Sequence, residues 1–494
     1  MMLRRQESMT LKKLESHPAS FLCESVLSFG NNKDLEAGRH AHSCIVEECL
    51  DGYTFLCGLL VQMYCKCDAL GDANSMFENM PHKHVHIWNT MIKALSKHTH
   101  DASHAISLFN QMQHEGVLPH QATYVCAFSA CANSQGIVNG SILHCRIMAG
   151  SGLSKDLHVG NALVNMYAKC RHIEGASRAF IEMSEHDVVS WTAILSAYSQ
   201  QGQGGHALRC FHQMLEEGIA PNKVTFISLV SALVYPEALS SGMSLHARIV
   251  NLDFVSDINV GNSLIGMYGK CGRFQDACIA FYHMPKRDIV SCNSAIMACT
   301  LHGQNSHAFE IFARMGCDRI KPNATTFAST LTACSSFKEV LLTHTFIIED
   351  GLGLNVFIGT TLVNTYGKCG SCKDAEIVFF GMSEQNVISW NAMIAVYNQH
   401  AKGTDILRAS RAMEMQGLMP TNVTIVSILE LCGEEGWLNE ALRVHVHILC
   451  IGFEEDISVG NALITMYGKC KEIEKAQKVF TNLVTRDVVS WTSM

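Results

Sequence analysis

A twelve-residue phrase constrains the architecture of this chain more than any other feature. Residues 159–170 read VGNALVNMYAKC. The phrase returns as VGNSLIGMYGKC at 260–271, IGTTLVNTYGKC at 358–369 and VGNALITMYGKC at 459–470, and in worn form as FLCGLLVQMYCKC ending at Cys67. Its tyrosines, Tyr64, Tyr167, Tyr268, Tyr366 and Tyr467, are separated by 103, 101, 98 and 101 residues. A period held over five copies marks a repeat array, in which each unit buries its apolar face only by stacking on its neighbours.

Each long period divides into three kinds of unit. Short units start at Thr54, Leu157, Ile258, Val356 and Ile457, and each has 31 residues. Tryptophan-bearing units start at Val85, Val188, Ile289, Val387 and Val488, the complete ones having 36, 35, 35 and 35 residues. Their mark is a phrase such as VVSWTAILSAY (188–198), with Trp88, Trp191, Trp390 and Trp491 in register and Cys292 replacing the ring once. Long units start at Pro18, Gln121, Lys223, Ala324 and Asn422, with 36, 36, 35, 32 and 35 residues. Residues 18–494 thus read as fourteen full units and a fifteenth that breaks off at Met494, which fits a chain continued by a further domain. Residues 1–17 carry Arg4, Arg5, Lys12 and Lys13 with Ser8 and Thr10. They read as a remnant repeat or as an organelle presequence, the second reading weakened by Glu7 and Glu15.

Each unit reads as two helices. In the short unit the first runs from about Asn161 to Cys170, and the turn Arg171-His172 ends it. The second puts Ala176, Phe180 and Met183 on one face at i, i+4 and i+7. The stripe recurs as Ala73/Phe77/Met80, Ala277/Phe281/Met284 and Ala375/Phe379/Met382, and in the tryptophan-bearing units as Ala207/Phe211/Met214 and Ala308/Phe312/Met315. Gly218 with Pro221 stops the second helix of the latter unit type, as do Gly116 with Pro119 and Gly417 with Pro420. Helix pairs covered on both sides explain a charged fraction of only 17%, against about 25% in ordinary soluble domains. The expected fold is all-α, a right-handed superhelical solenoid of helix-turn-helix repeats with a long concave face. No run reaches the ~18 uninterrupted apolar residues of a membrane helix, so no membrane partner is expected. Of the 22 cysteines, five hold one register (Cys67, Cys170, Cys271, Cys369 and Cys470). A register position suits a small buried apolar group better than half a disulfide, which implies a reducing compartment.

Units of 31, 35 and about 35 residues, with SWTAILSAY, the G-x-x-P ending and VGNALVNMYAKC, resemble the pentatricopeptide repeat family over residues 18–494. The alternating lengths are similar to its plant-type subclass of long, short and standard motifs. The tetratricopeptide repeat, also a helix pair, has a uniform ~34-residue period and a W-x2-L-G-x2-Y opening, and neither is present. The resemblance implies a single-stranded organellar RNA as partner, one base per repeat, read by the fifth and last residues of a unit. In the short units those pairs are Asn161 with Asp187, Asn262 with Asp288, Thr360 with Asn386, and Asn461 with Asp487. In the tryptophan-bearing units they are Thr192 with Asn222, Asn293 with Asn323, and Asn391 with Thr421. Val189, Val290, Ile388 and Val489 would sandwich the bases by apolar contact. Aspartate only accepts and so suits the N3–H of uracil, whereas an asparagine amide can donate to the lone pair on cytosine N3. Carried over, the array would read U-A-x-U-C/U-x-A-C/U-x-U from Leu157, with Ile227, Ala328 and Val426 marking the long units at x as spacers. Gly58 with His84 and Asn89 with His120 depart from the usual pairs, so the first period is expected to read nothing. In an arbitrary protein, Asp187, Asp288 and Asp487 would be helix caps.

Relatives of the subclass edit RNA, some with a C-terminal cytidine deaminase that needs an H-x-E…P-C-x-x-C zinc site. The one H-x-E, His172-Ile173-Glu174, lies in a repeat turn with no P-C-x-x-C after it, and Cys369/Cys372 form a C-x-x-C without a second ligand pair. The 25 histidines form no spaced cluster, and Gly202–Gly205 follow no strand. No enzyme and no cofactor are expected. The reading is a monomer in the mitochondrion or chloroplast that selects sites for C-to-U editing by a deaminase supplied in trans. The alternatives are a factor in organellar RNA stability, splicing or translation, or a protein-interaction scaffold, which the net charge of −8 would suit.

Overall fold

The computed structural model describes residues 19–48, 53–80, 82–98, 100–149, 152–351, 355–400 and 402–494. Residues 1–17, read above as a remnant repeat or presequence, lie outside them. Among the described residues there are 29 α-helices, three short 3-10 helices and no strand. None of these helices is long and apolar enough to cross a membrane. The chain forms two compact bodies, one ending at Phe254 and one beginning at Val255.

The first body is built of helix pairs from Ala19–Asn32 to Leu239–Asn251, and the second of pairs from Ile258–Lys270 onward, closed by the single-helix stub Val488–Ser493. First helices begin at Thr54, Leu157, Ile258, Val356 and Ile457 in the short units. They begin at Val85, Val188, Ile289, Val387 and Val488 in the tryptophan-bearing units, and at Gln121, Lys223, Ala324 and Asn422 in the long ones. Within a body each first helix packs on its own second helix and on the first helices of the adjoining units, so the core runs along the array.

The short unit's first helix is Leu157–Lys169, one turn longer at its start than the sequence expectation near Asn161. The cause is the residue before the unit. Asp156 accepts from the Val159 N–H at 3.0 Å and caps the helix there. At the other end, Arg171 takes a left-handed φ of 56°, as do Asp68 and Lys471 at 58° and 62°. Gly272 and Gly370 fill the same turn at 83° without the strain that a side chain brings. The second helix ends at Glu182, so Met183 lies just past it in extended backbone and still buries its side chain with Ala176 and Phe180.

The phrase itself now has reasons. A Cβ on Gly160 would stand 2.8 Å from Met183 Cγ, and one on Gly261 would stand 2.7 Å from Met284 Cε, so the glycine lets the unit close on its own methionine. The recurrent tyrosine hydroxyl is bonded by a histidine of the preceding long unit. His42 meets Tyr64 at 2.8 Å, His144 meets Tyr167 at 3.1 Å, His344 meets Tyr366 at 2.9 Å and His445 meets Tyr467 at 2.7 Å. The histidines therefore do hold a spacing, which their sequence context hid. The five recurrent cysteines follow directly on the first helix. Only Cys271 is fully buried; Cys67, Cys170, Cys369 and Cys470 are half-buried, because the helix end opens to the turn.

Candidate nucleic-acid interface

Each candidate pair joins the first helix of one unit to the N-cap of the next. Asn161 lies on Leu157–Lys169, and Asp187 caps Val188–Gln200 through a reciprocal box with Ser190. The Asp187 Oδ1 accepts from the Val189 N–H at 3.0 Å, the Ser190 N–H at 2.8 Å, the Ser190 hydroxyl at 2.8 Å and Asn161 Nδ2 at 3.1 Å. All four bonds converge on one oxygen, and none reaches Oδ2. Asp288 repeats the pattern with Ser291 and with Asn262 at 3.3 Å, and Asp487 with Ser490 and with Asn461 at 3.2 Å. The cap and a free acceptor thus occupy two oxygens of the same carboxylate.

Asparagine caps exchange the sign of the free group. The Asn222 Oδ1 accepts from the Thr225 N–H at 2.9 Å, the Asn323 Oδ1 from Thr326 at 3.0 Å, and the Asn386 Oδ1 from Ser389 at 2.9 Å. An N–H donor fixes which end of the amide faces the helix, so the Nδ2 group of each is turned away as a donor. Asn222, Asn323 and Asn386 are exposed, Asp187 and Asp288 half-buried, and Asp487 exposed. Beside Asp187, Asp288, Asn386 and Asp487, the side chains of Val189, Val290, Ile388 and Val489 are 55%, 50%, 69% and 53% exposed and leave an apolar edge next to these caps.

Five pairs are in direct contact, the fourth and fifth being Asn293 Nδ2 on Asn323 Oδ1 at 3.3 Å and Asn391 Nδ2 on the Thr421 hydroxyl at 3.0 Å. Two pairs are not. Thr192 reaches Asn222 only through the Thr225 hydroxyl, at 3.0 Å to each. The Thr360 hydroxyl donates to the Val356 carbonyl of its own helix at 2.7 Å, because threonine is too short to span the gap that asparagine bridges. The partner oxygens also differ. Thr326 donates to Asn293 Oδ1 at 2.6 Å, whereas the serine hydroxyls bond their aspartates and leave Asn161, Asn262 and Asn461 Oδ1 buried without a partner.

The first period holds a contact that the sequence did not reveal, between Asn89 Nδ2 and His120 Nε2 at 3.2 Å. His120 Nδ1 accepts from the Thr123 N–H at 3.4 Å, which leaves the ring proton on Nε2. The Asn89 amide is then better placed with its otherwise unpartnered Oδ1 toward that proton. Both ring nitrogens are used, so His120 offers no free group of the Asp187 kind. Of the long units, the last closes similarly, whereas Asp156 accepts from Gln121 Nε2 and the Val159 N–H on the same Oδ1. Asp456 caps with Oδ1 and accepts from Asn422 through Oδ2 at 3.2 Å, while Ile227, Ala328 and Val426 are half-buried. His172, of the lone H-x-E, accepts from the Gly175 N–H at 2.9 Å and is a helix cap. Among the described residues no three His, Cys, Asp or Glu side chains gather as a metal site.

Partial burial pushes the Asp187 and Asp288 carboxyls up, but the hydrogen bonds they accept outweigh it and hold both below the ordinary carboxylate range. Asp487 is lowered by the bonds from Ser490 and Asn461. A carboxylate depressed by folding adds stability above its ordinary value of about 3.9, and that contribution is lost as pH falls through the folded value. Thermal melts are expected to hold level from pH 7 to about 5 and to fall below about pH 4. A drop already complete by pH 5 would rule these caps out as the acid-labile groups.

Models of three related families match the chain: the PPR repeat family over residues 83–133 and 186–234, the pentatricopeptide repeat domain over 285–336 and 383–435, and the PPR repeat over 161–188, 262–289, 360–387 and 461–488. A pentatricopeptide repeat-containing protein of Arabidopsis thaliana is 30% identical over 471 residues, covering 94% of this chain and 68% of its own length. A second is 30% identical over 439 residues, covering 88% of this chain and 52% of its own length. A third, named chloroplastic, is 29% identical, covering 97% of this chain and 58% of its own length. The chain thus spans little more than half the length of several relatives it matches. Among solved structures it is similar to a pentatricopeptide repeat protein from maize, at 14% identity and TM-score 0.39 over 99% of this chain and 95% of that one. It is also similar to yeast Rmd9p in complex with a 16-nucleotide target RNA, at 15% identity and TM-score 0.42 over 86% of this chain and 87% of that one. With helix pairs in three alternating lengths and these matches along both bodies, the chain belongs to the pentatricopeptide repeat family.

Proposed function

We propose that the chain binds single-stranded RNA with base specificity, at the junctions between units. The observation that carries this reading is the change of free group at a constant cap, an acceptor Oδ2 on Asp187, Asp288 and Asp487 and a donor Nδ2 on Asn222, Asn323 and Asn386. A cap needs only one oxygen, so stability alone gives no reason for the second group to alternate. Uracil presents an N3–H to an acceptor, and cytosine a lone pair to a donor. Exposed Val189, Val290, Ile388 and Val489 supply apolar contact for the base planes.

The finer reading is a member of the plant-type subclass that selects sites for C-to-U editing in an organelle, with the deaminase supplied in trans. Its supports are the 31/35/35 alternation and the relatives named chloroplastic. The test is a gel-shift titration at two salt concentrations, with an RNA carrying UAAUCAACAU against one with purine–pyrimidine swaps at the read positions. Each well-read base contributes ~1–3 kcal/mol, so several swaps together should nearly abolish binding. Equal and salt-sensitive binding to both RNAs would reduce the activity to nonspecific contact with phosphates. Absence of binding by a helical, folded chain would favour a protein-interaction scaffold.

A further inference from the structure

At one unit junction of the second body two thiols face each other. Cys278 lies on the helix Phe274–His283, the second of its short unit, and Cys299 on Ile289–Leu301, the first of the next unit. Their sulfurs are 3.5 Å apart. Cys299 is fully buried and Cys278 is 8% exposed. The same register one period earlier holds Ser177 and Tyr198, whose hydroxyls are 2.9 Å apart. One period later it holds Glu376 and Tyr397. In those two periods the position joins successive units by a polar contact, and here the contact is made by two groups that can form a covalent bond.

We infer that Cys278 and Cys299 form a reversible disulfide, a redox-sensitive staple between two successive repeats. The sulfurs need to close by about 1.5 Å to reach the ~2.05 Å bond. The oxidant is a hydroperoxide. The Cys278 thiolate attacks the peroxide oxygen and becomes a sulfenic acid, releasing hydroxide that takes up the thiol proton as water. The Cys299 sulfur then attacks the sulfenic sulfur and expels a second water. Two thiols and one hydrogen peroxide thus give one disulfide and two waters. Cys278 is the first nucleophile on two grounds. It is the more accessible sulfur, and the hydrogen bond from Cys299 holds its thiol below the ordinary range. That same bond, with burial, pushes Cys299 up and leaves it as the resolving partner.

The staple would act on the helix that carries the reading groups. Asp288 caps Ile289–Leu301 and Asn293 stands on it, less than two turns before Cys299. Tying this helix to Phe274–His283 fixes the junction at which Asn262 meets Asp288. This consequence for RNA rests on the proposed function; the disulfide itself does not.

The test uses the full chain with the cysteines that are exposed among the described residues removed as C145S, C317S and C450S, to suppress links between molecules. The chain is treated with hydrogen peroxide, the remaining thiols are alkylated under denaturing conditions, and non-reducing peptide maps are recorded. The expected result is a dominant Cys278–Cys299 cross-link that dithiothreitol removes, with an upward shift of several degrees in the melting midpoint. Cys278→Ser, which installs the residue found at Ser177, should fold normally and lose both effects. Alkylation of Cys278 and Cys299 in equal yield with and without peroxide would overturn the inference, as would a link that forms only in denaturant. RNA affinity measured on the same oxidised and reduced samples is a separate readout. A disulfide that forms while base preference is absent refutes the proposed function and leaves the staple intact.

Discussion

Replacing Asp187 and Asp288 together by asparagine is expected to move base preference from uracil to cytosine at two positions and to leave the fold in place. Both side chains cap with Oδ1 alone, and asparagine caps through the same atom at Asn222, Asn323 and Asn386. Asparagine and aspartate are near-equal N-caps, and the lost negative charge at the helix start costs a further few tenths of a kcal/mol. The double variant should therefore stay within about 1 kcal/mol of the parent by urea denaturation. At the bases, a donor replaces an acceptor, so each position should change its uracil-to-cytosine ratio by ~1–3 kcal/mol, or roughly 5- to 150-fold. Asp187→Ala supplies the contrast, since it removes the cap and should cost about 1 kcal/mol of stability. If Asp187→Asn and Asp187→Ala lowered RNA affinity equally on every base, the carboxylate would be a cap and no more.

Truncating Trp191 should be the most damaging single change to stability. The ring is fully buried, lies 4.7 Å edge-on from Phe180 and 5.6 Å from His186, and donates from Nε1 to Glu217 at 3.2 Å. Trp191→Ala leaves a cavity where two units meet and should cost ~3–5 kcal/mol, measured as a lower denaturation midpoint. Because repeats contact only their neighbours, the loss should show as an early transition confined to part of the array, visible in hydrogen exchange around 176–217. Trp491 makes the same contact with Phe480 at 4.9 Å but is 66% exposed, so Trp491→Ala should change stability far less. Equal effects at the two positions would contradict the packing account. The third period already lives without the ring. Cys292 is buried in its place, and Phe281 is covered by the Arg287 guanidinium at 5.1 Å.

Most of the secondary structure was legible because its causes are local. Caps act over three residues and apolar stripes over seven, so Asp187 with Ser190, or Ala176 with Phe180, can be read from neighbours in the sequence. The helix start one turn before Asn161 is less legible because its cap, Asp156, belongs to the preceding unit. The histidine–tyrosine bonds are hidden for a related reason. His144 and Tyr167 lie 23 residues apart, a separation that matches no helical period.

The sequence by itself determined the period, the three unit lengths, the helix pairs, and which residue types stand at each junction, because repetition and short-range hydrogen bonding leave their mark in linear spacing. Tertiary structure alone decided which atoms at those junctions remain free. Asn161 and Asp187 meet across 26 residues while Thr360 turns back on its own helix, and His120 has both nitrogens occupied where Asp187 keeps one oxygen open. Those outcomes depend on how closely two helices approach and on the reach of one side chain, quantities of about an ångström that no residue pattern encodes.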